Sequence, residues 1–189
     1  MTRIFFDVDT QKDFMNPDGA LYVPGAEKLK PNLKKLSEYA QENGIYIFGS
    51  GDYHHGTKYF CDIETELKKW GGPFPDHCMV NEEGSERIVE TADILDEEFE
   101  KQTYDVFTNS LIRPALEEYE VDEAVVYGVA TDYCVKAAVI GMEKIGIQCY
   151  VVEDAIAGVA KETTETSIAE MKVAGAKFVK TADVLYGKV

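Results

Sequence analysis

The stretch AVVYGVATDYCV, residues 124–135, runs from a continuous apolar segment through a glycine-bearing turn into a helical pattern. Ala124–Val129 does not alternate between polar and apolar residues, which predicts a strand covered on both faces. Val135, Ala138, Val139 and Met142 then recur at i, i+3, i+4 and i+7, the stripe of one helix face. Thr131 stands where an N-cap is expected, which puts Cys134 near the third helical position.

Three more apolar runs share this character: Ile4–Val8, Ile45–Phe48 and Cys149–Val152, with Lys177–Lys180 a weaker one. Helical patterns lie between them. Leu29, Leu33, Leu36 and Ala40 form a stripe, with Pro31 tolerable in the first turn. Pro114 opens a short helix toward Glu118, and Thr163 to Ala174 reads as the last helix. Alternating strands and helices predict an α/β fold, a three-layer α-β-α arrangement with a mainly parallel central sheet. The length of 189 residues fits a single domain over 1–189.

The chain carries a formal charge of −16, which argues against nucleic acid and anionic membrane surfaces as partners. No apolar run approaches the roughly 20 residues that span a bilayer. The start MTRIFFDVD lacks the basic and hydrophobic regions of a signal peptide, which points to a cytoplasmic protein. The four cysteines have no CxxC spacing, so reduced thiols are expected. Gly49 to Pro75 is a long segment with only weak helical character around Glu64–Trp70, and loops of that length are usually functional. Glu82 to Asp105 holds ten acids against Arg87 and Lys101 and reads as a solvated acidic face.

Ligands of open α/β sheets collect beyond the carboxyl ends of the strands. Asp9 follows the first run, Asp52 and His54 the second, and Cys134 the run at 124–129. A thiol close to a helix N-terminus is favoured as thiolate, and the backbone N–H groups of such a turn face any oxyanion formed there. Asp9 is the candidate base, and it needs a cation nearby. Asp52 and His54, two apart in extended chain, point to one side as metal ligands would. His77 is a further ligand candidate, and Cys61, Glu64 and Cys78 could join the set. Cys149, inside an apolar run, reads as structural.

DVDTQKDF, DYHHG, PDHC, FEKQTYDVF and GVATDYCV stand in the order found in the isochorismatase-like cysteine hydrolases, and the chain resembles that family over nearly its whole length. Within the family it is most similar to the nicotinamidase (pyrazinamidase) branch. The resemblance implies a catalytic triad of Asp9, Lys101 and Cys134 acting on a small amide, nicotinamide foremost, through a thioester. It implies an oxyanion hole from the backbone N–H groups of Ala130 and Cys134, with a cis peptide before Ala130. It assigns Asp52, His54 and His77 to a divalent metal, Zn²⁺ first, with Fe²⁺ or Mn²⁺ as alternatives. Glu64 falls near the position of the family's variable fourth ligand. Phe14 and Phe74 match positions flanking the substrate ring, and Tyr104 belongs to the same pocket. Relatives acting on carbamoyl or ureido compounds generally lack the metal set, so its presence favours nicotinamide. The family also implies a homo-oligomer and a role in recycling NAD.

Overall fold

A computed structural model of the chain describes residues 1–56 and 64–189. The strands β1 (Thr2–Val8), β2 (Ile47–Asp52), β3 (Glu97–Lys101), β4 (Val121–Val129), β5 (Gln148–Ala157) and β6 (Lys177–Val179) form one six-stranded sheet. Their order is β3-β2-β1-β4-β5-β6, and every pairing is parallel. Parallel neighbours need crossovers, which the helices supply. The helices are α1 (Lys12–Met15), α2 (Lys30–Glu42), α3 (Ile112–Glu118), α4 (Lys136–Lys144), α5 (Lys161–Ala174) and α6 (Thr181–Leu185). No described helix is long and apolar enough to cross a membrane.

The two-residue side-chain period of a strand sorts the core into two layers. Ile4, Phe6, Val8, Ala124 and Val126 pack with Ile112 and Leu116 of α3, Val139 and Met142 of α4, and Met171 of α5. Phe5, Val125, Tyr127 and Val129 face the other way, onto Leu33, Leu36 and Ala40 of α2 and Val184 of α6. Fully burying a Leu or Phe side chain contributes about 2 kcal/mol, so these layers hold the helices in place. Continuous rather than alternating apolar runs are the consequence of this double coverage.

Three sequence expectations are corrected. The acidic run at 82–105 is not one solvated face, because it contains the edge strand β3. In EEFEK the glutamates at 98 and 100 are exposed while Phe99 and Lys101 are buried, a two-residue alternation hidden by the charge. The second strand does not stop at Phe48 but continues through Gly49, Ser50 and Gly51 to Asp52, all buried. Small residues suit it there, since a Cβ on Gly49 would fall 2.9 Å from the Arg87 guanidinium. Finally, Thr163–Ala174 is not the last helix: α6 follows β6 and closes over the α2 layer.

Gly128 explains the glycine of the opening motif. Its φ is 113°, and a Cβ there would lie 2.1 Å from the carbonyl oxygen of Val8. Only glycine lets β4 pass β1 this closely as it enters the turn.

Candidate active site

The strand order reverses direction at β1, whose neighbours are β2 and β4, so the crevice of the sheet opens at the carboxyl ends of these strands. β1 delivers Asp9, β2 ends on Asp52, β3 ends on Lys101, and β4 leads into a π-helical turn, Thr131–Val135, that carries Cys134. Asp52 and Lys101 are paired in register across the edge of the sheet. The edge strand missed in the sequence is therefore the one that brings in the cation.

Lys101 is buried, at 2% exposure, among three partners. Its Nζ lies 2.7 Å from Asp9 Oδ2, 3.4 Å from Asp52 Oδ1 and 3.6 Å from Cys134 Sγ. Burial works against its charge, but the two carboxylates outweigh it and hold the ammonium well above its ordinary pKa. Burial also works against ionised Asp52, where Lys101 and the imidazoles prevail and keep the carboxyl below the usual range. At Cys134 desolvation wins over Lys101, with Asp9 and Asp52 adding repulsion, so the thiol is pushed well above its ordinary value. The cation and helix end are there, but two carboxylates and partial burial oppose them.

The cap is also different from the one expected. Thr131 is buried inside the turn and makes no cap bond, and Ala130 occupies the N-cap position, which puts Cys134 in the fourth helical position rather than the third. The neighbouring Asp132 reaches across instead, accepting hydrogen bonds from the backbone N–H groups of Val159 and Ala160 and from the Thr163 hydroxyl. That carboxylate ties the thiol-bearing turn to the N-terminus of α5. The Val129–Ala130 peptide is cis, as the resemblance implied. The N–H groups of Tyr133 and Val135 both donate to the Ala130 carbonyl, at 3.0 and 3.1 Å.

Asp52 also belongs to a second constellation. Its Oδ2 lies 3.2 Å from His54 Nε2 and 3.0 Å from His77 Nε2, and among the described residues these three groups form the cluster able to hold a metal, all of them buried. The far nitrogen of each imidazole is held: His54 Nδ1 faces Glu64 Oε2 at 3.1 Å, and His77 Nδ1 lies 2.8 Å from the Pro75 carbonyl. Outer hydrogen bonds of this kind orient metal-binding histidines and present their Nε2 atoms inward. The donor set, two imidazoles and a carboxylate with room for further ligands, fits a divalent cation such as Zn²⁺. Burial opposes the charge of His54, but Asp52 and Glu64 raise its pKa above the ordinary one.

Glu64 therefore does not stand among the ligands. It lies behind His54, where its Oε1 also accepts the backbone N–H of His55 at 2.6 Å. Cys78 is buried outside the cluster, and Cys61 lies outside the described residues. Cys149 is buried in the core, as expected of a structural cysteine.

A pocket of about 580 Å³, counted to its solvent-open mouth, reaches Cys134, Asp52 and His77. Phe14 and Phe74 line it and meet the His77 ring edge-on, at centroid distances of 5.7 and 6.0 Å. Tyr104 stands at its half-exposed rim. Sequence reasoning missed Tyr133, Val159 and Glu66 in the same lining. Tyr133 and Val159 had no signal beyond apolar character. Glu66, two residues from the expected Glu64, accepts the Tyr104 N–H and has its pKa raised by burial and by Asp52.

The family model for the isochorismatase domain matches residues 4–183. The chain belongs to the isochorismatase family. It is 30% identical to the nicotinamidase of Escherichia coli (strain K12) over 205 residues, covering 96% of each chain. The zinc complex of the pyrazinamidase of Pyrococcus horikoshii superimposes with a TM-score of 0.85 at 30% identity, covering 95% of this chain and 99% of that one. An Arabidopsis thaliana relative, 24% identical over 183 residues, covers 90% of this chain and 88% of its own, and is named "probable inactive nicotinamidase". The six-stranded parallel sheet is thus the isochorismatase-family fold, and the chain is a member of a hydrolase family whose relatives include nicotinamidases.

Proposed function

We propose that this isochorismatase-family chain is a metal-assisted amidohydrolase that converts nicotinamide to nicotinate and ammonia. The observation that carries this reading is Lys101 Nζ held between Asp9, Asp52 and the Cys134 sulfur below an aromatic-lined pocket. A carboxylate, an ammonium and a thiol within reach of one another are the parts of nucleophilic amide cleavage.

Because burial and the two carboxylates push the thiol pKa up, the first proton movement accompanies substrate attack. Asp9, which shares the Lys101 ammonium with the thiol, takes the proton as sulfur bonds to the amide carbon. Lys101 stays charged throughout and offsets the negative charge that passes from Asp9 to the thiolate. The backbone N–H groups of Ala130 and Cys134 are the proposed donors to the tetrahedral oxyanion. Asp9 then gives its proton to the departing nitrogen, which leaves as ammonia with the C–N bond broken. Water deprotonated by Asp9 hydrolyses the thioester, and Cys134 recovers its proton. Phe14 and Phe74 would sandwich the ring, with Tyr104 closing the rim. Asp52, His54 and His77 would hold the cation, which when bound supplies a Lewis-acid contact for the pyridine nitrogen.

Two other readings exist. A family relative acting on a carbamoyl or ureido amide would use the same thiol, but the clustered Asp52, His54 and His77 favour a heteroaromatic ligand. The third reading is an idle metal-binding member of the family, a kind to which the Arabidopsis thaliana relative's name points. The intact Asp9, Lys101 and Cys134 arrangement stands against it. Nicotinate formation by the purified protein with added Zn²⁺ separates them: activity on nicotinamide supports the first, activity confined to ureido compounds the second, and none on any amide the third. The cytoplasmic location, the homo-oligomer and the role in NAD recycling belong to this same reading.

A further inference from the structure

Asp9 has to present its carboxylate to Cys134 and Lys101 from an unusual backbone. It stands at φ 48°, in the left-handed region that residues other than glycine seldom adopt, although aspartate tolerates it better than most. Two hydrogen bonds hold it there, and both are made with Ser50. The Asp9 N–H donates to the Ser50 carbonyl at 3.1 Å, and the Ser50 hydroxyl donates to Asp9 Oδ1 at 2.6 Å. The second bond is short and charge-assisted.

Ser50 is itself fixed from behind. Its carbonyl also accepts from Arg87 Nη2 at 2.7 Å, and the same guanidinium donates to Asp7 Oδ1 and the Thr10 hydroxyl, each at 3.0 Å. Ser50 is completely buried, so it touches neither the pocket nor a substrate. Its hydroxyl occupies Oδ1, while Oδ2 faces Lys101 at 2.7 Å. The charged and titratable groups that interact with this carboxylate are Lys101, Cys134, Asp7, Arg87 and Cys78.

We infer that Ser50 is a positioning residue for the reaction: its hydroxyl locks the rotation of the Asp9 carboxylate and reserves Oδ2 for the proton exchanged with Cys134. This rests on the amidohydrolase reading above. In each turnover the S–H bond of Cys134 breaks as an O–H bond forms on Oδ2, and the same proton later goes to the leaving nitrogen. A carboxylate free to rotate would meet the thiol in the right orientation only part of the time. Misplacement of a catalytic group by about 1 Å can cost about 100-fold in rate. Substrate binding, which uses the pocket lining, is not altered.

The test is steady-state kinetics of wild type, Ser50→Ala and Ser50→Thr on nicotinamide with Zn²⁺ present. Ser50→Ala is expected to lower kcat at least about tenfold with KM within about twofold, the pattern of a group that acts only in the transition state. Ser50→Thr keeps the hydroxyl and is expected to recover most of kcat. A Ser50→Ala variant with wild-type kcat, a loss shared with KM, or no recovery in Ser50→Thr overturns the assignment. If wild type does not hydrolyse nicotinamide, the functional reading fails separately. The positioning role is then read from Cys134 alkylation by iodoacetamide, followed by peptide mass spectrometry. A rate in Ser50→Ala differing at least about threefold from wild type, with Ser50→Thr closer to wild type, supports it, and equal rates in all three overturn it.

Discussion

Lys101 Nζ lies 2.7 Å from Asp9 Oδ2 with both side chains shut off from solvent. The same ammonium reaches Asp52 Oδ1 and Cys134 Sγ, so one cation serves the proposed proton-transfer pair and touches the metal-type cluster. Removing it should do two things. Lys101→Ala leaves two buried carboxylates without their counter-charge, a loss of about 3–5 kcal/mol of stability by analogy with broken buried pairs. It also removes a cation that lowers the Cys134 pKa, so the thiol moves further up. Urea unfolding and the iodoacetamide–pH profile report the two effects, and an unchanged profile would contradict the pairing.

The resting thiol provides a pH test with a definite sign. A pKa raised above the ordinary 9.0 means a smaller thiolate fraction at neutral pH than in a free cysteine. Alkylation of Cys134 in the metal-free protein should therefore be slower than that of a model thiol at pH 7. It should keep rising beyond pH 9. A plateau near pH 7 would mean that Lys101 outweighs burial. The linkage runs the same way: an acid whose folded pKa is raised costs stability once pH climbs past its unfolded value, so urea midpoints should fall above about pH 9.

Asp52, His54 and His77 should bind one Zn²⁺ per chain. A ligand held only by the folded state at 100 times its Kd adds about 2.7 kcal/mol, a clear rise in the unfolding midpoint. Asp52→Asn keeps the shape of the residue and removes its charge, and it should abolish most of that rise. Isothermal titration and thermal unfolding with and without a chelator read this directly. Equal zinc affinity in both proteins would exclude Asp52 as a ligand.

Gly128→Ala should destabilise the chain by at least about 2 kcal/mol, since the substitution meets both a positive φ and the Val8 carbonyl. Denaturant midpoints of the purified proteins measure it. A midpoint equal to wild type would mean that β1 and β4 can part without cost.

The sheet was legible in the sequence because strands buried on both faces leave uninterrupted apolar runs, as Ile4–Val8 and Ala124–Val129 do. The same rule hid β3, an edge strand whose outward residues are glutamates, and cut β2 short where it turns to glycine and serine. Asp9, Asp52, His54, His77 and Cys134 could be found because strand ends and motif spacing mark them. Lys101 came from the family resemblance alone, for its surroundings in sequence are those of a surface charge. Ser50 and Arg87 left no trace: neither reaches the pocket, and their role lies in contacts between segments distant in sequence.

The central claim is tested by incubating the purified protein with nicotinamide and Zn²⁺ and measuring nicotinate and ammonia, alongside Cys134→Ala and a chelator-treated sample. The expected result is equimolar nicotinate and ammonia from wild type, a rate at background in Cys134→Ala, and a marked loss on chelation that Zn²⁺ restores. Absence of nicotinate from metal-replete wild-type protein, or turnover that survives in Cys134→Ala, would contradict it.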